Sequence, residues 1–384
     1  MKTDEYFIAL ALREAEKGMY TAQPNPRVGC LLVNNKRIVG RGFHLKTGTA
    51  HAEANALLEA GARAKNSTCY VTLEPCSFTG RTPSCADALI QAGVKRVVFA
   101  MADPHPQNCG AGLNKLRTAG IEVSGPVLEA SARLLNPGHV RKFEKGLPFV
   151  RLKLAMSMDG KTALANGKSQ WITGESARRD VQRLRARSSA IVTGVQTVID
   201  DDPSLTVRAR ELDIEESRLA SEVERHIIVL DPEKRIPASA KLLSNPNTIL
   251  ATLEDPANTK KLDVTQITLP DDGSRRIDLR ALLLKLATMD CNEVLFECGA
   301  NLAGSLIDDR LVDEIVIYMA PKLMGQGARS LMNIKGLTDM QDVPGLEFTD
   351  VRNLDGDLRI TATFNTHGLL DSASSKQDRQ SGHR

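Results

Sequence analysis

The chain has 384 residues, 42% hydrophobic and 25% charged, and its 50 basic against 47 acidic side chains leave a net charge of +3. This composition excludes a disordered or fibrous chain, and a charge so near balance gives no general case for nucleic-acid binding. No run approaches the ~20 apolar residues of a bilayer-spanning helix and the N-terminus lacks a secretory pattern, so a cytoplasmic location with seven reduced cysteines is expected.

At about 150 residues per domain, the length suits two domains. The first 145 residues alternate helical and strand patterns. A helix is predicted over 3–17, with acids at its start and Gly18 after it. Strands over 28–33 and 38–43 read as a hairpin turning at Asn34, Asn35 and Lys36. A helix over 52–60 ends at Gly61. Strands over 68–73 and 95–101 flank a helix over 85–91, and a helix over 112–119 precedes a strand over 121–123. Strands separated by helices predict a parallel or mixed sheet covered on both faces.

The segment 143–148, FEKGLP, holds glycine, proline and charge and reads as the boundary of a first domain, 1–145. A second α/β series fills 146–364. Its strands are predicted over 149–155, 190–193, 227–230, 248–251, 294–297, 314–319 and 358–364, and its helices over 175–187, 278–286 and 301–308. Residues 365–384 are polar and aperiodic and read as a disordered tail.

The sharpest chemical signal is His51-Ala52-Glu53, followed by Pro75-Cys76 and then Cys85. One imidazole and two thiolates bind Zn²⁺ and leave a fourth position for water, whose pKa falls to the neighbourhood of 7. A carboxylate outside the coordination shell must then move protons, and Glu53 is the carrier this pattern offers. The two cysteines are eight residues apart rather than two, so the intervening loop could reach over a ligand, with Arg81 meeting a phosphate. The alternative is a closed structural site, which needs a fourth protein ligand. Cys69 is the nearest spare thiol, but it sits in an apolar strand and, like Cys30, reads as a small core residue.

After residue 148 the stretch of small residues following Glu297-Cys298 opens a helix, where backbone amides can hold an anion. Five arginines crowd 178–187, and most read as a solvated face. Trp171, the only tryptophan, could stack on a ring or simply pack. Asp200-Asp201-Asp202 reads as a turn or helix cap rather than a cation site.

Together these segments resemble the bifunctional bacterial riboflavin-biosynthesis deaminase/reductase family across residues 3–364. The resemblance rests on Pro24-Asn25-Pro26-Arg27-Val28-Gly29, His51-Ala52-Glu53, Glu74-Pro75-Cys76-Ser77 and Gly80-Arg81-Thr82-Pro83. In the second half it rests on Ser157-Met158-Asp159-Gly160-Lys161, Ser169-Gln170-Trp171-Ile172-Thr173-Gly174 and Asp201-Asp202-Pro203-Ser204-Leu205-Thr206-Val207-Arg208. It implies a cytidine deaminase-like three-layer α/β/α N-terminal domain and a dihydrofolate reductase-like α/β C-terminal domain. It also implies zinc-dependent removal of the 2-amino group of 2,5-diamino-6-ribosylamino-4(3H)-pyrimidinone 5′-phosphate, then NADPH-dependent reduction of ribosyl to ribityl.

Carried onto this chain, the resemblance gives zinc to His51, Cys76 and Cys85 and the proton shuttle to Glu53. It gives the deaminase pocket to Asn25, His44 and Arg81. The nicotinamide nucleotide falls to Ala155, Trp171, Thr197, Asp201, Gly299, Ala300, Asn301, Leu302, Ala303, Gly304 and Ser305. The reductase substrate falls to Ser169, Arg185, Leu205, Arg208 and Glu297, with Lys153 catalytic beside the opening sugar. Three positions depart from the family pattern: Ser84 stands for a proline, His105 for an asparagine, and the run Asn108-Cys109-Gly110-Ala111-Gly112 differs. His105 reads as a partly exposed loop histidine, with a bond to substrate as the alternative. The family also suggests a homo-oligomer without nucleic-acid or membrane partners. Two other readings are a deaminase of another nucleobase or nucleotide with an inactive second domain, and a zinc-stabilised nucleic-acid-binding module. Balanced charge and 4% aromatics oppose the latter.

Overall fold

The structure is a computed structural model that describes residues 3–78, 83–254 and 263–365. Thr3 caps α1 (Asp4–Glu16), its hydroxyl accepting the Tyr6 N–H. β1 (Gly29–Asn34) and β2 (Arg37–Phe43) form the expected hairpin, and Asn35 and Lys36 supply its turn with φ of 49° and 63°. Then follow α2 (Ala52–Ala60), β3 (Thr68–Val71), α3 (Cys85–Gln91), β4 (Arg96–Phe99), α4 (Ala111–Thr118), β5 (Glu122–Ser124), α5 (Glu129–Leu135) and α6 (Pro137–Lys145).

The strands form one mixed sheet ordered β2-β1-β3-β4-β5. α1 and α5 bury Phe7, Ile8, Ala11 and Ala132 on one face. α2, α3 and α4 bury Ala52, Ala56, Leu89 and Leu116 on the other, which makes the expected three layers. The expected linker at 143–148 is corrected in part. Residues 143–145 form the last turn of α6, and Gly146 ends it with φ 71°. Composition did not show this helix because its anchoring side is short, with Gly138 and His139 as its buried residues.

The second half supplies β6 (Phe149–Ser157), β7 (Lys161–Ala163), α7 (Glu175–Arg187), β8 (Ala190–Gly194), α8 (Val195–Asp201), α9 (Ser217–Glu222), β9 (His226–Leu230), β10 (Thr248–Leu253) and β11 (Thr265–Leu269). They are followed by α10 (Leu279–Thr288), β12 (Glu293–Glu297), α11 (Ala300–Asp308), β13 (Glu314–Ala320), β14 (Arg329–Ser330), β15 (Leu346–Leu354) and β16 (Asp357–Phe364). Nine strands form a sheet ordered β11-β10-β9-β8-β12-β6-β13-β16-β15. The first seven run parallel, and β16 and β15 close the edge as an antiparallel hairpin.

α10 and α11 cover one face through Leu282, Leu286 and Leu306. α7 covers the other through Ala177, Val181 and Leu184. The C-terminal ends of β8 and β12 therefore open side by side, each feeding a helix, as ligand sites of open parallel sheets do. No helix among the described residues is long and apolar enough to cross a membrane. The tail expected over 365–384 lies outside the described residues beyond Asn365.

Candidate active sites

The first site forms where α2 and α3 begin. Gly40 and Gly42 let α2 lie on β2, since a Cβ there would come within 2.2 Å of the Ala56 carbonyl and 2.1 Å of the Ala52 carbonyl. That contact delivers His51 as the residue capping α2 and Glu53 in its first turn. Ser84 caps α3, accepting the Asp87 N–H at 3.2 Å and donating to the Cys76 carbonyl at 3.0 Å. The serine that departs from the family pattern thus ties the two cysteine segments together.

Glu74 braces the loop from the other side. Its carboxylate accepts the N–H groups of Gly110 and Gly112 at 3.0 Å and of Asp103 at 3.2 Å. A Cβ on Gly112 would meet the Pro75 carbonyl at 1.9 Å, so the second glycine of the departing run is required there. Asn108 is buried and accepts the Ser77 N–H at 2.9 Å.

These supports bring His51, Cys76 and Cys85 together, with one ligand atom from each lying within 4.8 Å of the others. Tetrahedral zinc, with bonds of about 2.3 Å to sulfur and about 2.05 Å to nitrogen, sets N and S about 3.5 Å apart. His51 Nδ1 lies 3.3 Å from Cys85 Sγ and 3.8 Å from Cys76 Sγ. The donor set and its spacing therefore fit zinc. Contacts with Cys85 and with His51 hold the Cys76 thiol well below its usual range, while the same contact and burial push the Cys85 thiol well up.

Glu53 is 3% exposed beside this cluster. Burial first, and then the Cys76 charge, push its carboxyl up to about 7. Cys30 and Cys69 are core residues in mutual contact, as expected, with their sulfurs 3.5 Å apart. Asn25 and His44 come together at the rim. Asn25 Nδ2 is 3.0 Å from His44 Nε2, and the His44 ring lies edge-on to His51 at 5.4 Å. Arg81 lies outside the described residues. His105 is half-buried in its loop against Phe143, and its Nδ1 accepts the Gln107 N–H. Asp103 bonds His139 at 2.9 Å.

The second site lies at the C-terminal ends of β6, β8 and β12. Lys153 and Glu297 are register partners on adjacent strands. Arg185 grips Glu297 with both fork nitrogens, at 2.5 and 3.0 Å. Lys153 Nζ stands 3.9 Å from Glu297 Oε2. Burial lowers the Lys153 pKa, with Arg185 adding to it and Glu297 opposing. Burial alone would raise Glu297, but Arg185 outweighs it and keeps the carboxylate ionised.

Thr197 is half-buried on α8, and Ala155 is half-buried on β6. Ser169 bonds Asp201 at 3.1 Å. Trp171 is 66% exposed with the Arg178 guanidinium over its ring, so it is not a packing residue. Gly299, Ala300, Asn301 and Leu302 form the open start of α11, and Asn333 bonds Asn301 there at 2.6 Å. Ser305 accepts from Arg276 one turn further on.

Four of the predicted residues sit where burial or an ion pair engages their side chains. Ala303 and Gly304 are buried and serve packing, since a Cβ on Gly304 would meet the Asn333 carbonyl at 2.0 Å. Leu205 is 3% exposed against Ile191 and Ile227, so only its backbone, at φ 52°, can face a ligand. Arg208 is exposed and ion-paired to Glu211 at 2.8 Å. The three consecutive aspartates each have their own partner: Arg329 for Asp200, Ser169 for Asp201 and Lys241 for Asp202. Asp159, from the Ser-Met-Asp-Gly-Lys motif, braces the chain at Met324 and Gly325.

Sequence reasoning missed Gln23 and Glu293, which meet Arg27 in a buried cluster between the halves. No local signal marks them: Arg151, which pairs with Glu293 at 3.3 Å, is one of two charges in β6.

Comparison with known proteins assigns a family to each half. The model described as the cytidine and deoxycytidylate deaminase zinc-binding region matches residues 1–101, and the RibD C-terminal domain model matches 148–360. Riboflavin biosynthesis protein RibD of Escherichia coli (strain K12) is 44% identical over 359 residues, covering 92% of this chain and 98% of that protein. The Haemophilus influenzae protein of the same name is 44% identical over 368 residues, covering 94% and 97%. The Acinetobacter baumannii RibD structure matches with TM-score 0.85 and 39% identity over 94% of this chain and 99% of that one. A Thermotoga maritima structure described as a diaminohydroxyphosphoribosylaminopyrimidine deaminase/5-amino-6-(5-phosphoribosylamino)uracil reductase matches with TM-score 0.81 and 30% identity over the same shares. Full-length likeness at this level, over two assembled sites, establishes that the chain belongs to the RibD family of bifunctional riboflavin-biosynthesis enzymes, a zinc-dependent deaminase joined to an NADPH-dependent reductase.

Proposed function

We propose that residues 1–145 carry out the deamination, with Glu53 as proton carrier, and that residues 146–364 carry out the reduction, with Lys153 as acid. The observation that carries the first assignment is a buried carboxyl two residues from His51, beside three converging zinc donors. His51, Cys76 and Cys85 would hold the zinc, which when bound would supply a water acidic enough to react near pH 7. Glu53 takes a proton as attack begins at the carbon bearing the 2-amino group and returns it as ammonia departs. Asn25 and His44 orient the pyrimidine ring, and Arg81 meets the 5′-phosphate.

In the second half NADPH supplies the hydride. Ala155, Trp171, Thr197, Asp201 and the start of α11 at Gly299 to Leu302 hold the nucleotide. Ser169, Arg185, Arg208, Glu297 and the Leu205 backbone hold the sugar phosphate. Glu297, kept ionised by Arg185, orients the opened ribosyl group, and Lys153 delivers the proton. An inactive second half is disfavoured by this intact Lys153–Glu297–Arg185 cluster. The cytoplasm suits two zinc thiolates, which an oxidising compartment would consume.

Incubating zinc-loaded protein with the diaminopyrimidinone ribotide tests the order of events by product mass. Exchange of NH for O without NADPH is expected, then a gain of two hydrogens with it. No mass change without NADPH, with zinc bound, would reject the substrate.

The chain is also inferred to pair with a second copy along β15. This edge strand exposes Phe348 by 69%, Val351 by 55% and Leu346 by 37%, on the face that continues the main core through Ala362 and Ile315. An antiparallel copy centred between Thr349 and Asp350 sets Glu347 opposite Arg352 and Phe348 opposite Val351. Sedimentation should find a dimer for the native chain and a monomer for Phe348→Glu. Unchanged assembly in the variant would place the contact elsewhere.

A further inference from the structure

The two halves meet across a buried polar seam at the end of α7. Gln23 Nε2 and Arg27 Nη2, both from the deaminase half, donate to the Arg187 carbonyl at 3.0 and 3.1 Å. Helix ends leave carbonyls without intrahelical partners, and here the other half satisfies one of them. Arg27 Nη1 also donates to Glu293 Oε1 at 2.5 Å, at the first residue of β12. Arg27 and Glu293 are 2% and 1% exposed. The Arg27 fork therefore joins the last turn of α7 to the start of β12.

Those two elements carry the pair at the reductase site. Arg185 lies in the same last turn of α7, and Glu297 ends β12. Their bidentate contact depends on how α7 sits along β12. Two residues before Arg27 stands Asn25, which bonds His44 at the deaminase rim.

We propose that Arg27, although it belongs to the deaminase half, is a positioning residue for the reductase: it holds α7 against β12 and so sets the Arg185–Glu297 pair before Lys153. This rests on the reading of Lys153, Arg185 and Glu297 as the reductase site. The reduction of a sugar carbon is sensitive to placement, and a shift near 1 Å costs up to about 100-fold in rate.

A double-mutant cycle in the full-length zinc-loaded protein tests it, with the deaminated ribotide as substrate so that only reduction is read. Arg27→Met should lower the reductase kcat about tenfold, with NADPH affinity unchanged. Adding Arg27→Met to Arg185→Ala should cost little more, because both act through one pair. If Arg27→Met does not fold, Gln23→Met removes one of the two donors to the Arg187 carbonyl. It should show a smaller loss, also absorbed by Arg185→Ala. Fully additive losses, or no loss in either seam variant, would overturn the proposal. An unaffected Arg185→Ala would instead overturn the reading of the reductase site.

Discussion

Glu53→Gln should abolish deamination, by roughly 10³-fold or more, while zinc content and NADPH oxidation with the deaminated substrate stay at native levels. The amide keeps the size and the hydrogen-bonding shape of the carboxyl but cannot shuttle protons. His51, Cys76 and Cys85 are untouched, so metal analysis should read full occupancy. The reductase site draws on β6, α7 and β12 and shares no residue with α2. Ammonia release, metal analysis and NADPH oxidation on one preparation separate the outcomes. Retained deamination would move the shuttle to another residue. Lost zinc would mean that Glu53 shapes the metal site rather than serving beside it.

The deaminase centre was legible because local elements build it. His51 and Glu53 are two residues apart at a helix start, and Cys85 opens another helix behind a capping serine. The glycines and apolar runs that set those elements are visible in the chain. The reductase site was legible mainly through its resemblance to the family. Lys153, Arg185 and Glu297 lie on three separate elements, and no periodicity announces that they meet.

Burial was the hardest property to read. Leu205, Ala303 and Gly304 stand in motifs next to residues proposed to bind ligand, yet a left-handed turn and close helix packing aim them inward. β15 was missed because its exposed edge carries no clean alternation of apolar and polar residues, and a register shift between Phe348 and Asp350 breaks what alternation there is. The seam was invisible for a different reason. Arg27 and Glu293 are 266 residues apart, and a charged residue in either segment looks like ordinary surface until the two halves dock.

Lys153→Met should lower the reductase kcat by about 10²- to 10⁴-fold and leave deamination and NADPH affinity unchanged. Methionine matches the length of the lysine stem but has no proton to give. Burial favours the neutral amine and so lowers the pKa of Lys153, with Arg185 pushing the same way and Glu297 resisting. An acid works only while protonated. The native kcat for reduction should therefore hold at lower pH and fall as pH rises through this pKa, below the ordinary lysine range. That limb should vanish from the residual activity of Lys153→Met. The Glu297 carboxylate cannot take over, because Arg185 grips both of its oxygens and keeps it ionised. If the variant instead raised the substrate KM and spared kcat, Lys153 would bind the sugar without protonating it. The proton would then have to come from solvent.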